Sequence, residues 1–294
     1  MTASQERIDE IVKYAFAYSI EEAARHFDVK TETVERYKRA WLRPGTAKIL
    51  IFDIETAPLT AYVWQNNVFN NNVRYDQVIT DWFMLSWAAK WLNDSKIMGE
   101  VVNVEESIQR DDKRICNILW QLFDEADIVI AHNAFKFDVP NVCTRFLIHG
   151  LLPPKPYRVF DTLKVARRQF GFTHNNLDAL AVALQLDNKL KTEFDLWKRC
   201  LQGDKKALGY MLDYNKQDVL LLEEVYTKLK GWTNSHPNIN KYQDTVKCCS
   251  HCGSENLRSN GHYYTQANRY ESFQCQDCGG FSRVSGKQLL STAR

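Results

Sequence analysis

The chain has 294 residues, 45% hydrophobic and 25% charged, with a net charge of +2. That is the composition of an ordinary globular protein, long enough for one large domain with small ones beside it. No apolar run approaches the length of a membrane span and the N-terminus lacks a signal-peptide core, so a membrane partner is not expected and the cytoplasm is the expected compartment.

Residues 4–43 read as three helices. The first runs from Gln5 to about Tyr18, with Ile8, Ile11, Val12 and Phe16 near helical spacing. Ser19 and Glu22 form a capping box that opens the second, which carries Ala23, Ala24 and Phe27 inward. Asp28-Val29-Lys30 turns the chain into a third helix through Val34, Tyr37 and Trp41. The pattern resembles a helix-turn-helix unit, taken as residues 1–44. Its third helix presents Arg36, Lys38, Arg39 and Arg43 as candidate nucleic-acid contacts, so DNA is the expected partner. The alternative is a structural helical unit that binds protein or nothing.

After Pro44-Gly45, the run Ile49-Leu50-Ile51-Phe52 reads as a buried strand that delivers Asp53 and Glu55 at its end. Residues two apart on a strand share a face, and two like charges held there favour a hard divalent cation between them. The alternative is a strand end with two solvated acids. The Asn-rich stretch between Ala61 and Tyr75 reads as a polar excursion. Ile79–Leu92 and Ile97–Val104 read as antiparallel strands, and Ser107–Ala126 as one amphipathic helix. Ile128–Ala131 is a further buried strand, ending at His132, whose expected role is a hydrogen bond rather than a ligand. A helix from about Phe135 to His149 places Asp138 near the strand ends. A helix is expected to start over Val159–Thr162, with Asp161 as its cap, and another over Asn176–Leu184. Leu208–Leu229 is a long helix on which Tyr214 and Asp218, four apart, share a face.

Trp232 to Asn240 reads as a linker. Beyond it lie Cys249-x2-Cys252 and Cys275-x2-Cys278, each pair followed by a glycine. Paired knuckles of this kind are a strong signal for one tetrahedral Zn²⁺, with Cys248, His251 and His262 as possible substitutes. A tail this small needs such a metal for much of its stability. Between the knuckles, Arg258 and Arg269 interleaved with tyrosines suit strands that touch nucleic acid; a protein-docking role is the alternative.

FDIET, HNAFKFD and YNKQD, with Asp53, Glu55, Asp138, Tyr214 and Asp218 in order, resemble the three motifs of the DEDD superfamily of 3′–5′ exonucleases. Tyr214 stands four before Asp218, and Asp213 rather than a histidine stands five before it, so the resemblance is to the tyrosine subgroup. It implies an α/β RNase H-like mixed sheet with flanking helices over residues 47–233, while the paired knuckles make residues 245–294 a separate zinc-ribbon unit. It also implies two Mg²⁺ or Mn²⁺ ions about 3.5–4 Å apart. Asp53 would bridge them, Glu55 and Asp218 would hold one, and Asp138 would steady the second. Tyr214 would orient the attacking water. The activity implied is metal-dependent 3′–5′ hydrolysis of nucleic-acid phosphodiesters; the helical head favours DNA, with a polymerase or another replication or repair protein as a candidate partner. An RNA exonuclease is the first alternative and a DNA-binding regulator with a nuclease-like core the second.

Overall fold

The computed structural model describes residues 7, 10–11, 14–15, 18–31, 33–34, 47–64, 73–186, 192–242, 247–284 and 290–292. In the head, Arg7, Glu10, Ile11, Tyr14 and Ala15 are helical, as are Thr31, Thr33 and Val34. Between them lies helix α1 (Ile20–His26), whose N-cap Ser19 accepts a hydrogen bond from the Glu22 amide at 3.1 Å. Ile11, Ala15, Ala23, Ala24 and Val34 form the buried core of this segment. Asp28 takes the turn at φ 51°, a left-handed conformation that aspartate tolerates. Arg36, Lys38, Arg39 and Arg43 lie outside the described residues, as does the Asn-rich stretch 65–72.

The centre of the molecule is a five-stranded mixed sheet. Its strands are β1 (Ile49–Thr56), β4 (Met84–Trp91), β5 (Ile97–Val101), β6 (Ile128–Ala131) and β7 (Arg158–Asp161), in the order β5-β4-β1-β6-β7. β4 runs antiparallel to β1 and to β5, while β6 runs parallel to β1 and to β7. Side-chain parity on β1 decides the layers. Leu50, Phe52 and Ile54 enter one buried cluster and Ile49 and Ile51 the other, so both faces are covered. Asp53 and Glu55 continue the parity of Ile49 and Ile51.

On that face lies the long helix α8 (Lys205–Leu229), with α2 (Val104–Gln109), α3 (Lys113–Glu125), α4 (Asp138–Ile148), α5 (Thr162–Gln169), α6 (Leu177–Ala183) and α7 (Phe194–Leu201) preceding it in the chain. Asp204 caps α8 by accepting from the Lys206 and Ala207 amides. Met211, Asn215, Asp218, Leu222, Val225 and Leu229 recur at helical spacing and are buried, forming the stripe that faces the sheet. Lys90 of β4 and Glu223 of α8 form an ion pair beside this stripe.

Several elements differ from the sequence reading. The expected strand Ile79–Leu92 is two. β3 (Val78–Thr80) pairs with β2 (Thr60–Ala61) in a separate ribbon, and the central strand starts only at Met84. Arg110 pins the base of the ribbon by donating to the carbonyls of Pro58 and Asp81. The next strand stops at Val101, because Asn103 caps α2 with a reciprocal Glu106 bond. The single helix expected over Ser107–Ala126 is broken at Arg110, which is left-handed at φ 57°. The break carries Asp112 inward, where it is 0% exposed. There it accepts from the Met84 amide at 2.7 Å and from Arg145 at 2.6 and 2.7 Å, and it contacts His149 at 2.5 Å. Asp112, Cys116 and His149 cluster tightly, but Arg145 occupies both Asp112 oxygens, which makes this an ion network rather than a metal site. Val159 and Phe160 belong to strand β7, and the helix begins at Thr162 with Asp161 as its cap. Helix α7 was not anticipated.

Trp232–Asn240 is no loose linker. Thr233, His236, Ile239 and Asn240 are all buried. The Tyr226 hydroxyl meets His236 Nε2 at 2.9 Å, and His236 Nδ1 meets the Pro237 carbonyl at 2.7 Å. Burial, and then the neighbouring His251, push the His236 imidazole down to about 3, so it packs as a neutral ring. Beyond this connector, β8 (Leu257–Tyr264), β9 (Arg269–Cys275), β10 (Phe281–Val284) and β11 (Leu290–Thr292) form an antiparallel sheet in the order β11-β10-β9-β8. Among the described residues no helix is long and apolar enough to cross a membrane.

Candidate active site and metal centre

β1 delivers Asp53 opposite Ala88 and Glu55 opposite Ser86, with an irregularity in register directly after Glu55. Across the same face, α8 brings Asp218. Carboxylate oxygens of Asp53, Glu55 and Asp218 all lie within 4.8 Å of one another. Asp218 is 3% and Tyr214 7% exposed, so a pair that by spacing alone reads as surface is part of the interior.

Asp138 is the first residue of α4 and is 1% exposed. Burial pushes its carboxyl pKa up, with Asp161 and Glu55 adding like charge; bonds from its own and the Ile54 backbone oppose the shift. Its Oδ2 has no hydrogen-bond partner among the described residues. A buried carboxylate with an unused oxygen beside other acids fits a site built for a hard divalent cation. An oxygen-only donor set suits hard cations better than softer metals.

Asn215 was not singled out from the sequence. It is 0% exposed, donates Nδ2–H to Asp53 Oδ2 at 2.6 Å and accepts from the Ser86 hydroxyl at 3.4 Å. Ser86 thereby sets which end of the amide faces the acid. The only signal in the sequence was a polar residue on the inward stripe of α8.

His132 has the role expected of it: Nδ1 meets the Thr162 hydroxyl and Nε2 the Asn175 carbonyl, each at 2.9 Å. Asp161 does more than cap α5 through the Lys164 amide, since it also accepts from the Asn133 and Phe135 amides at 3.1 and 3.2 Å. It thereby fixes the turn that carries Asn133 at φ 74° toward Asp138. Beside Asp161 opens a cavity of about 440 Å³ lined by Phe135, Lys136, Lys164, Arg167 and Arg168. Phe135 is half exposed, and Lys164 Nζ sits 4.9 Å from its ring centre. This concentration of cations was missed because its members come from two separate segments. Arg258 and Arg269 are exposed on β8 and β9.

The second cluster joins Cys249, Cys252, Cys275 and Cys278. Sγ of Cys249 and Cys278 lie 3.5 Å apart, and Sγ of Cys252 and Cys275 3.6 Å. Four sulfurs at about 2.3 Å from a tetrahedral zinc would stand about 3.8 Å apart, so the donors fit that ion. Gly253 and Gly279 close the knuckles at φ 75° and 72°, donating to the Cys249 and Cys275 carbonyls. Cys248 stands outside the cluster, its thiol on Asn240 Oδ1, and His251 points Nε2 at the Thr233 carbonyl.

A five-stranded mixed sheet of this order, helices on both faces and acids on its central strand, is the architecture of an RNase H-like nuclease. The chain belongs to the RNase H superfamily, whose family model matches residues 50–230. No curated protein matches it. Among solved structures it is similar to the family B DNA polymerase from the hyperthermophilic archaeon Pyrobaculum calidifontis, with 13% identity and a TM-score of 0.46. That similarity covers 68% of this chain and 27% of the polymerase chain.

Proposed function

We propose that the protein is a metal-dependent 3′–5′ exonuclease of the DEDD tyrosine subgroup that hydrolyses DNA phosphodiesters. The observation that carries this reading is the convergence of Asp53, Glu55 and Asp218 within 4.8 Å, with buried Asp138 beside them. Asp53, Glu55, Asp138 and Asp218 would hold two Mg²⁺ or Mn²⁺ ions. Such ions supply charge neutralisation at phosphorus and a water acidified for attack. The chain's own part is to keep the four carboxylates in register, Asp53 through Asn215. Tyr214, on the same helix as Asp218, orients the water. The cations around the cavity at Asp161 lead the backbone of a single strand toward the acids, and Phe135 offers a face for base stacking. Cys249, Cys252, Cys275 and Cys278 hold one structural Zn²⁺. The helical head, residues 1–44, is the reason for preferring DNA to RNA, through Arg36, Lys38, Arg39 and Arg43.

The test uses 5′-labelled DNA and RNA of one sequence with Mg²⁺ or Mn²⁺. A ladder shortening from the 3′ end, faster on DNA and absent with Asp53→Ala, is the expected result. Faster shortening of RNA would move the substrate to RNA, and internal cuts would replace the exonuclease with an endonuclease. Binding without cleavage of either polymer would favour a regulator with a nuclease-like core.

A further inference from the structure

Helix α8 carries Tyr214, Asn215 and Asp218 near its middle and runs two further turns to Tyr226, about 12 Å along the axis from Asp218. Its last residues lead directly into a 3-10 turn, Lys230–Trp232. At this end the helix meets the cysteine cluster. A side chain at Gly231 would force the helix end and the knuckle apart: its Cβ would stand 2.0 Å from the Cys278 carbonyl oxygen and 3.2 Å from the Gly280 nitrogen. Gly280 is closed in the same way by His251, whose Nδ1 would lie 2.8 Å from a Cβ there.

Hydrogen bonds lock the contact. His251, one residue before Cys252, donates Nε2–H to the Thr233 carbonyl at 2.8 Å. The Ile239 amide donates to the Ser250 carbonyl at 3.0 Å, and Asn240 Nδ2 to the Cys248 carbonyl at 2.7 Å. The His236 ring lies 4.8 Å from Phe160 of β7 and 5.6 Å from His251, and it accepts from Tyr226. Tyr226, Thr233, His236 and His251 are each at most 5% exposed. Two loops whose own conformation depends on four sulfurs are thus packed, backbone to backbone, on the end of the helix that carries the acid.

We infer that the four-cysteine site is a clamp on the C-terminal end of α8, so that zinc occupancy sets the position of Tyr214 and Asp218 in the nuclease. With the ion bound, the knuckle carbonyl at Cys278 and the His251 ring fix Gly231 and Thr233, and α8 keeps its seat on β1 and β4. Without it, thiols held 3.5–3.6 Å apart lose their common partner, the knuckles open, and the last turns of α8 lose their cover. Gly231, Tyr226, His236 and His251 are positioning residues in this account. The inference rests on the exonuclease reading only for its consequence, not for the mechanical coupling.

Hydrogen–deuterium exchange on the whole zinc-loaded 294-residue chain separates the two. Stripping zinc with a zinc-selective chelator is expected to speed amide exchange across residues 219–232 about tenfold, while α3 keeps its protection. Cleavage should slow about tenfold, within the usual range of coupling between sites, and both changes should reverse on adding Zn²⁺. Gly231→Ala, which leaves every cysteine and carboxylate in place, should loosen the same amides and slow cleavage with zinc still bound. Unchanged protection of 219–232 in stripped protein and in Gly231→Ala overturns the clamp, as does a protein that purifies without zinc from zinc-supplemented medium. Loosened amides with unaltered cleavage also overturn it. If the intact protein cleaves nothing, the exonuclease reading fails on its own, and the exchange result still decides the coupling.

Discussion

Asp53, Glu55 and Asp218 come together from a strand and a helix far apart in the chain, with Asp138 beside them from the start of a second helix. Cys249, Cys252, Cys275 and Cys278 come from two tight turns, one before β8 and one at the end of β9. Both clusters gather ligand atoms within 4.8 Å. The difference is what holds them when no ion is bound. The carboxylates are positioned by a packed sheet, a long helix and an amide from Asn215, so the site is preformed and strained by like charge. The thiols are positioned by knuckles with little core of their own, so an ion held there would be part of what folds them. One site should therefore lose activity and keep its structure when damaged, and the other should lose structure.

The widest gap is expected for Asp53→Ala or Asp218→Ala. Each should reduce cleavage on the order of a thousandfold. The thermal midpoint should hold or rise, because removing one of several clustered acids relieves repulsion. A midpoint that collapses would erase the contrast between the two clusters. Zinc removal, or Cys252→Ser, should instead cost structure first: circular dichroism and proteolysis should report loss of order in the tail, residues 247–284, while the central sheet persists.

Asp112→Ala tests the core between these extremes. It leaves Arg145 buried without its carboxylate, and about 3–5 kcal/mol of unfolding free energy should disappear in a denaturant titration. The same residue predicts an acid limb. Burial raises the Asp112 pKa, but Arg145, the Met84 amide and His149 outweigh that and hold it below the usual carboxyl range. A depressed folded-state pKa stabilises the protein above the unfolded value, and that contribution is lost as pH falls through the folded one. Wild type should therefore lose stability on acidification more steeply than Asp112→Asn.

Asn215→Ala should weaken Mn²⁺ affinity about 10–100-fold, as loss of an outer partner to a ligand commonly does, with the fold intact by dichroism. The smallest effect is expected from Arg167→Ala with Arg168→Ala. KM for single-stranded substrate should rise with kcat nearly unchanged, and the salt dependence of binding should flatten by about 0.7 for each phosphate that the two arginines no longer neutralise. An unchanged salt slope would remove the cavity beside Asp161 from the substrate path.

Much of this was legible in the sequence because it depends on neighbours along the chain. Strand parity put Asp53 and Glu55 on one face, helical spacing did the same for Tyr214 and Asp218, and caps at Ser19 and Asp161 marked helix starts that hydrogen bonds confirm. The cysteine pairs announced their own cluster, since two-residue spacing is already the geometry of a knuckle. What local pattern could not carry was any contact between distant segments. Gln109 to Arg114 contain no glycine or proline, so nothing in that stretch marked the break at Arg110 that sends Asp112 to Arg145 and His149. A stretch such as WTNSHPNIN has the composition of a linker, and only the groove between α8 and the knuckles turns His236 and Thr233 into interior residues. Likewise Asn215 was one polar letter on a long helix until β4 and β1 supplied Ser86 and Asp53. The sequence alone determined which residues could be ligands, because spacing sets their faces. The tertiary structure decided which of them share a site and what steadies them, because burial and hydrogen bonding between remote segments exist only once the sheet has closed.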